Sequence, residues 1–172
     1  MKPRVSVVQY LNTVPLVWGM MHGEQKGKFD LTPATPARCA DAIRSGQADV
    51  GIIPAIEYQR IPGLEVIDGL SISSKREVRS VLLLSAKPIE AIHTVAMDES
   101  SRTSVALATI LLRKFYGLSI SSTPAQPDPH AMLAKADAAL IIGDPALAFH
   151  AREVQVYDLA AEWRRFTGLP FV

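Results

Sequence analysis

The stretch Thr94-Val95-Ala96-Met97-Asp98-Glu99-Ser100-Ser101-Arg102-Thr103-Ser104-Val105-Ala106-Leu107 decides the fold class of this chain. Its first four residues form a short apolar run of strand character. From Val105 onward, apolar residues recur at helical spacing through Ala108, Leu111, Leu112 and Phe115. A strand passing straight into a helix is the repeating unit of an α/β fold. Where the helix opens, the sequence gathers the hydroxyls of Ser100, Ser101, Thr103 and Ser104 and the guanidinium of Arg102. The first N–H groups of a helix lack internal partners, and the macrodipole makes that end positive. Two readings follow. One is a pocket for a carboxylate or phosphate, with the hydroxyls donating and Arg102 gripping in a bidentate fork. The other is a capped helix with Ser101 as N-cap and Arg102 in solvent, for which a single hydroxyl suffices. The surplus of hydroxyls raises the anion reading.

The same grammar occurs elsewhere in the chain. Ala136-Asp137 precedes an apolar run ending in Ile141-Ile142, and Pro145-Ala146 then opens a new helix. In the first half Ala48-Asp49 precedes Ile52-Ile53, followed by Pro54-Ala55. This short repeat predicts two lobes of βα topology, residues 1–85 and residues 86–172, with residues 85–92 crossing between them and the site at the strand-to-helix loops. In the first lobe the patterning predicts strands at residues 4–9, 29–32, 48–53, 64–67 and 81–84. Helices are expected from Pro15 through Trp18 and Met21, and from Thr35-Pro36 to Ser45, with Gly46 as the stop. Residues 71–74 are a loop of the first lobe; in the second lobe residues 124–129 are a loop, a short helix at residues 130–135 precedes the apolar strand, and a last amphipathic helix runs through Arg165. Trp18 and Trp163 are read as packing residues.

Composition limits the function. A chain of 172 residues, 48% hydrophobic and 20% charged, has an ordinary globular balance. Its net charge of +1 gives no reason for bulk binding to nucleic acid or to an anionic membrane, so any anion affinity must be local. The single Cys39 cannot form an internal disulfide. The run after Met1-Lys2-Pro3-Arg4 is too short and polar for a signal-peptide core, and no stretch reaches bilayer-spanning length. A cytoplasmic protein is expected. No Cys/His cluster has zinc spacing, and no Walker loop or dinucleotide glycine fingerprint occurs, so neither a metal nor a cofactor is predicted.

The remaining candidates are polar residues at predicted strand ends. Asn12 and Thr13 lie at the first strand-to-helix crossing, where Asn12 is either a ligand contact or a turn residue. Asp144 follows an apolar strand and precedes Pro145, as a site residue or an N-cap. Arg79 beside Ser80 is a candidate cation or a surface ion-pair partner. Ser73 and Ser74 add hydroxyls. The histidines (His22, His93, His130, His150) have no Ser or Cys partner motif and read as surface or capping residues. Such a set suits a small carboxylate and contains few general bases.

Seven motifs in order carry a resemblance: Tyr10-Leu11-Asn12-Thr13-Val14-Pro15-Leu16, Ile53-Pro54-Ala55-Ile56-Glu57-Tyr58, Gly69-Leu70-Ser71-Ile72-Ser73-Ser74, Val78-Arg79-Ser80-Val81, Ser100-Ser101-Arg102-Thr103-Ser104, Ile142-Gly143-Asp144 and Glu162-Trp163-Arg164-Arg165-Phe166-Thr167-Gly168-Leu169-Pro170-Phe171. Together they resemble the chorismate dehydratase family of the futalosine route to menaquinone. The resemblance implies a two-lobed α/β fold like the type II periplasmic binding proteins, with the ligand in the cleft. It also implies loss of water from chorismate to give 3-[(1-carboxyvinyl)oxy]benzoate. Asn12 would then be catalytic, with Ser73, Ser74, Arg79, Ser80, Ser100, Ser101, Arg102, Thr103, Ser104 and Asp144 binding the two substrate carboxylates.

Family members continue past the Gly168-Leu169-Pro170-Phe171 motif, whereas this sequence stops as a strand begins. The expectation is a truncated chain whose first lobe is incomplete, with self-association through that lobe as one outcome. A non-catalytic carboxylate-binding or sensor domain of the same fold is the alternative.

Overall fold

The computed structural model describes residues 1–150 and 153–172, which fall into two units. The first comprises Met1–Ile72 with Ser100–Arg102, and the second Ser73–Glu99 with Thr103–Val172.

In the first unit, β1 (Arg4–Val8) leads through a 3-10 turn at Leu11–Thr13 into α1 (Val14–His22), with Pro15 in its first turn as expected. β2 (Asp30–Ala34), α2 (Pro36–Arg44) and β3 (Val50–Gly51) follow. The sheet has the order β2-β1-β3 and both pairings are parallel. The middle strand, β1, is buried at every residue after Arg4, and Val5 and Val7 pack with Val17 of α1 and with Phe29, Leu31, Val50 and Ile52. Cys39 and Ala40 of α2 are fully buried.

Two expectations are corrected here. Of the run at residues 48–53, only Val50 and Gly51 are ladder partners of β1, flanked by the Asp49 and Ile52 N–H groups, which donate to the Arg4 and Ser6 carbonyls; β3 lies at the edge of this sheet among the described residues, and Val50 and Gly51 are half-buried. Residues 64–67 form no strand. Val66 and Ile67 are about 60% exposed and lie between Gly63 and Gly69, which both turn the chain at positive φ. Trp18 is also exposed, its ring tilted 39° against that of His22 with centroids 4.3 Å apart.

The second unit holds β4 (Val81–Ser85), β5 (Thr94–Asp98), α3 (Thr103–Ile110), β6 (Ser121–Ala125), α4 (Pro129–Leu133), β7 (Ala138–Ile142), α5 (Gly143–Ala148), β8 (Gln155–Asp158) and α6 (Leu159–Thr167). α3 continues as a π turn over Leu111–Phe115. The strand order is β6-β5-β7-β4-β8, with β5 parallel to both neighbours and β4 antiparallel to β7 and β8. Every residue of β4 and β7 is buried, as expected for inner strands covered on both faces. Leu82, Leu84, Ala96, Met132, Ala139, Ile141 and Ala146 make one core cluster.

β6 was unforeseen because Pro124 stands inside it. The strand lies at the sheet edge, where a missing N–H costs no ladder bond. β8 was hidden by its brevity. The division also falls elsewhere than after residue 85: β4 pairs with β7 and β8, so residues 73–85 belong with the second unit.

Candidate functional site

In the first unit the polar candidates collect where β1 ends. Asn12 sits in the 3-10 turn after the strand, exposed, with its Oδ1 accepting from the Thr13 hydroxyl at 3.4 Å. The Tyr10 and Ser100 hydroxyls lie 3.2 Å apart, and the Ala37 N–H in the first turn of α2 donates to the Ser100 carbonyl at 3.1 Å. Ser100 and Ser101 are 8% and 7% exposed. α3 opens at Thr103, two residues after Ser101, so Ser101 does not occupy the N-cap position.

Arg102 does not extend free into solvent but enters an ion-pair network. Its Nη2 donates to Asp41 Oδ1 at 2.7 Å and its Nη1 to Glu57 Oε2 at 3.1 Å. Glu57 is fully buried and also accepts from Arg44 and, at 3.0 Å, from Arg60. Burial pushes the Glu57 carboxyl up, but hydrogen bonds from Arg60 and Arg44 and the charge of Arg102 outweigh it and hold the group below its usual value. The hydrogen bond to Asp41 raises Arg102 further against the opposing effect of burial. Arg102 thus fastens the 100–102 segment to the first unit. Both of its terminal nitrogens are held by protein carboxylates.

In the second unit, the register pairs Val81 with Ile142 and Met97 with Leu140, which brings the start of β4 and the ends of β5 and β7 to one edge. Asp98, fully buried at the end of β5, accepts the Ile142 N–H at 3.2 Å. The Ser80 carbonyl accepts the Gly143 N–H at 2.8 Å, and half-buried Asp144 lies in the first turn of α5. Thr103 and Ser104 open α3, and Ser104 is 5% exposed.

Asp158 ends β8 beside this edge. Its Oδ1 accepts from the N–H groups of Ala160 and Ala161, capping α6, and its Oδ2 accepts from Val78 at 2.9 Å and Arg79 at 2.6 Å. Arg79 has φ 58°, the sole non-glycine residue at positive φ among the described residues. That conformation costs roughly 1–2 kcal/mol in a side-chain-bearing residue. The Arg79 side chain is exposed, and no described residue pairs with its guanidinium.

Ser74 is otherwise engaged. Its hydroxyl bonds the backbone of Arg76, and its main chain bridges Phe171 in both directions at 2.9 Å. Ser73 is exposed on the same loop.

The predicted residues therefore fall into two sets. Asn12, Ser100, Ser101 and Arg102 belong to the first unit; Ser73, Ser74, Arg79, Ser80, Thr103, Ser104 and Asp144 belong to the second. Sequence reading missed Tyr10, Asp98 and Asp158. Tyr10 stood in the quoted motif beside Asn12 and Asp98 at the end of a predicted strand, but nothing local signalled Asp158, whose partners lie about 80 residues away. Among the described residues no group of three or more His, Cys, Asp or Glu is placed to hold a metal ion.

A parallel βα sheet and a mixed five-stranded sheet whose polar groups sit at strand ends define the class: the α/β fold of the type II periplasmic binding proteins. A ligand-binding component of an ABC-type import system from Staphylococcus aureus matches 85% of this chain and 56% of its own, with TM-score 0.55 and 14% identity. A crystal structure from Archaeoglobus fulgidus matches 99% of this chain and 65% of its own, with TM-score 0.79 and 16% identity. The particular family follows from sequence: the menaquinone biosynthesis family model matches residues 3–172, and the chain belongs to that family. A chorismate dehydratase from Campylobacter jejuni is 29% identical over 171 residues, which is 96% of this chain and 62% of that relative's length.

Proposed function

We propose that the chain performs the chorismate dehydratase reaction, a hydro-lyase step that turns chorismate into 3-[(1-carboxyvinyl)oxy]benzoate and water. The observation that carries this reading is the exposed Asn12 carboxamide in the turn after β1, beside the Tyr10–Ser100 hydroxyl pair. Family membership and the name of the Campylobacter relative support it. No described helix is long and apolar enough to cross a membrane, which accords with a biosynthetic role in the cytoplasm.

The chemistry requires that a proton leave the ring carbon bearing the enolpyruvyl ether while the neighbouring hydroxyl departs. Aromatisation supplies driving force, so the protein must mainly orient two carboxylates and the leaving group. Asn12 orients the departing hydroxyl or the substrate carboxylate that acts as base. Ser104, Thr103, Ser80 and Arg79, at the strand-end edge of the second unit, receive carboxylate oxygens.

Incubation with chorismate, followed by absorbance and mass, tests the reading through the appearance of the aromatic product. Asn12→Ala should lower kcat about 10²- to 10³-fold with the fold intact, the loss expected for one positioned polar group. Asn12→Asp should also be slow, because it sets a negative charge beside a dianion. Full turnover by Asn12→Ala would sink the assignment. Chorismate bound but recovered unchanged would favour the carboxylate-binding domain instead.

A further inference from the structure

We propose that Asp158 is a positioning residue: by binding the backbone of Val78 and Arg79 it holds Arg79 in a left-handed conformation that presents a free guanidinium to one substrate carboxylate. The inference rests on the chorismate reading and adds to it the residue that sets the anion grip.

Three observations support it. First, the two positive-φ residues at this edge, Arg79 and Gly143, flank neighbouring strand ends, since Ser80 bonds Gly143 across the β4–β7 pair. Glycine adopts such a backbone freely. An arginine there is strained, so its side chain must return something that glycine would not. Second, no described residue pairs with the Arg79 guanidinium, whereas those of Arg4, Arg44, Arg60, Arg102 and Arg165 all pair with carboxylates. Third, Asp158 divides its carboxylate. One oxygen caps α6 and the other takes both N–H groups of the strained turn, so one carboxylate fixes the turn's backbone against the start of α6.

The test is a double-mutant comparison with chorismate. Arg79→Gly removes the guanidinium and relieves the strain. It should raise KM about 10- to 100-fold, the equivalent of one charge-assisted hydrogen bond, with kcat changed far less and Tm unchanged or higher. Arg79→Lys should recover part of that loss. Asp158→Asn keeps one acceptor oxygen; it should raise KM several-fold in the parent chain and add nothing in the Arg79→Gly background. An equal KM increase from Asp158→Asn with and without Arg79 overturns the proposal, because the effect would then come only from a loosened α6. So does a KM within twofold of the parent in Arg79→Gly. If the parent chain gives no product, calorimetry with chorismate separates the two claims. Binding that Arg79→Gly weakens and Arg79→Lys partly restores supports the grip while turnover fails. Absence of binding overturns both.

Discussion

The two units hold their strand ends by different means. In the first, charged side chains are paired with one another: Glu57 gathers Arg44, Arg60 and Arg102, and Asp49 takes Arg4. In the second, ion pairs join Lys87 to Asp137 and Arg165 to Glu162, but four carboxylates also bind the main chain. Asp98 takes the Ile142 N–H, Asp137 those of His93 and Thr94, Asp128 those of His130 and Ala131, and Asp158 those of both Arg79 and α6. The difference accounts for the opposite fates of two arginines that look alike in sequence. Arg102 enters a unit whose carboxylates seek cations and is neutralised. Arg79 stands beside Asp158, whose oxygens are taken by backbone N–H groups, and no described residue pairs with its charge.

Four measurements sharpen or break this contrast. The largest effect is expected for Glu57→Ala, which leaves three arginines around an empty buried site. It should cost about 3–5 kcal/mol in denaturant unfolding, and hydrogen exchange should show β1 and β2 amides opening while β4 and β7 stay protected. Equal opening of all four strands would break the contrast. Asp98→Ala orphans a buried N–H and should cost about 1–3 kcal/mol, with Asp98→Asn recovering much of it; no recovery would mean that the acceptor is not what Asp98 supplies. Ile141→Val, a single methylene lost from the fully buried β7, should cost about 0.5–1.5 kcal/mol.

The smallest effect is in acid. The Arg4 side chain and N–H hold the Asp49 carboxyl down at about 2, against 3.8 for the free group. A lowered folded value stabilises above the free value and is lost as pH falls through the lowered one. The first unit should therefore lose that contribution between about pH 4 and pH 2, and Asp49→Asn should flatten the profile there. Asp137, held lower still by Lys87 and the His93 and Thr94 amides, should begin to lose its contribution in the same window and go on losing it at still lower pH.

The sequence made the elements legible wherever one periodicity dominated. The apolar runs at β4 and β7 and the Pro-led helices α1 and α2 could be read without tertiary information. β6 and β8 could not, because an edge strand with a proline and a four-residue strand carry little pattern of their own. At the candidate site, Asn12 and Ser104 lie at strand-to-helix junctions, as expected from motif position. The ion pairs of Arg102 were not foreseen because its partners, Asp41 and Glu57, are remote in sequence and belong to segments read only as helix and turn. Asp158 was missed for the same reason. Residue type shows what a side chain can bind, whereas only the folded chain shows what has already bound it.

The excursion of Ser100–Arg102 into the first unit has a consequence for how the protein is made. Glu57 and Arg102 are 45 residues apart, Asp41 and Arg102 are 61 apart, and Tyr10 and Ser100 are 90 apart. At a synthesis rate of roughly 5–20 residues per second, Glu57 leaves the ribosome roughly 2–9 s before its third arginine. During that interval β1, β2 and β3 are already synthesised while Glu57 has only Arg44 and Arg60. All of the first unit is synthesised once Arg102 has emerged, before residues 103–172 of the second unit exist, so its completion is timed by the arrival of one short segment that the second unit carries on either side.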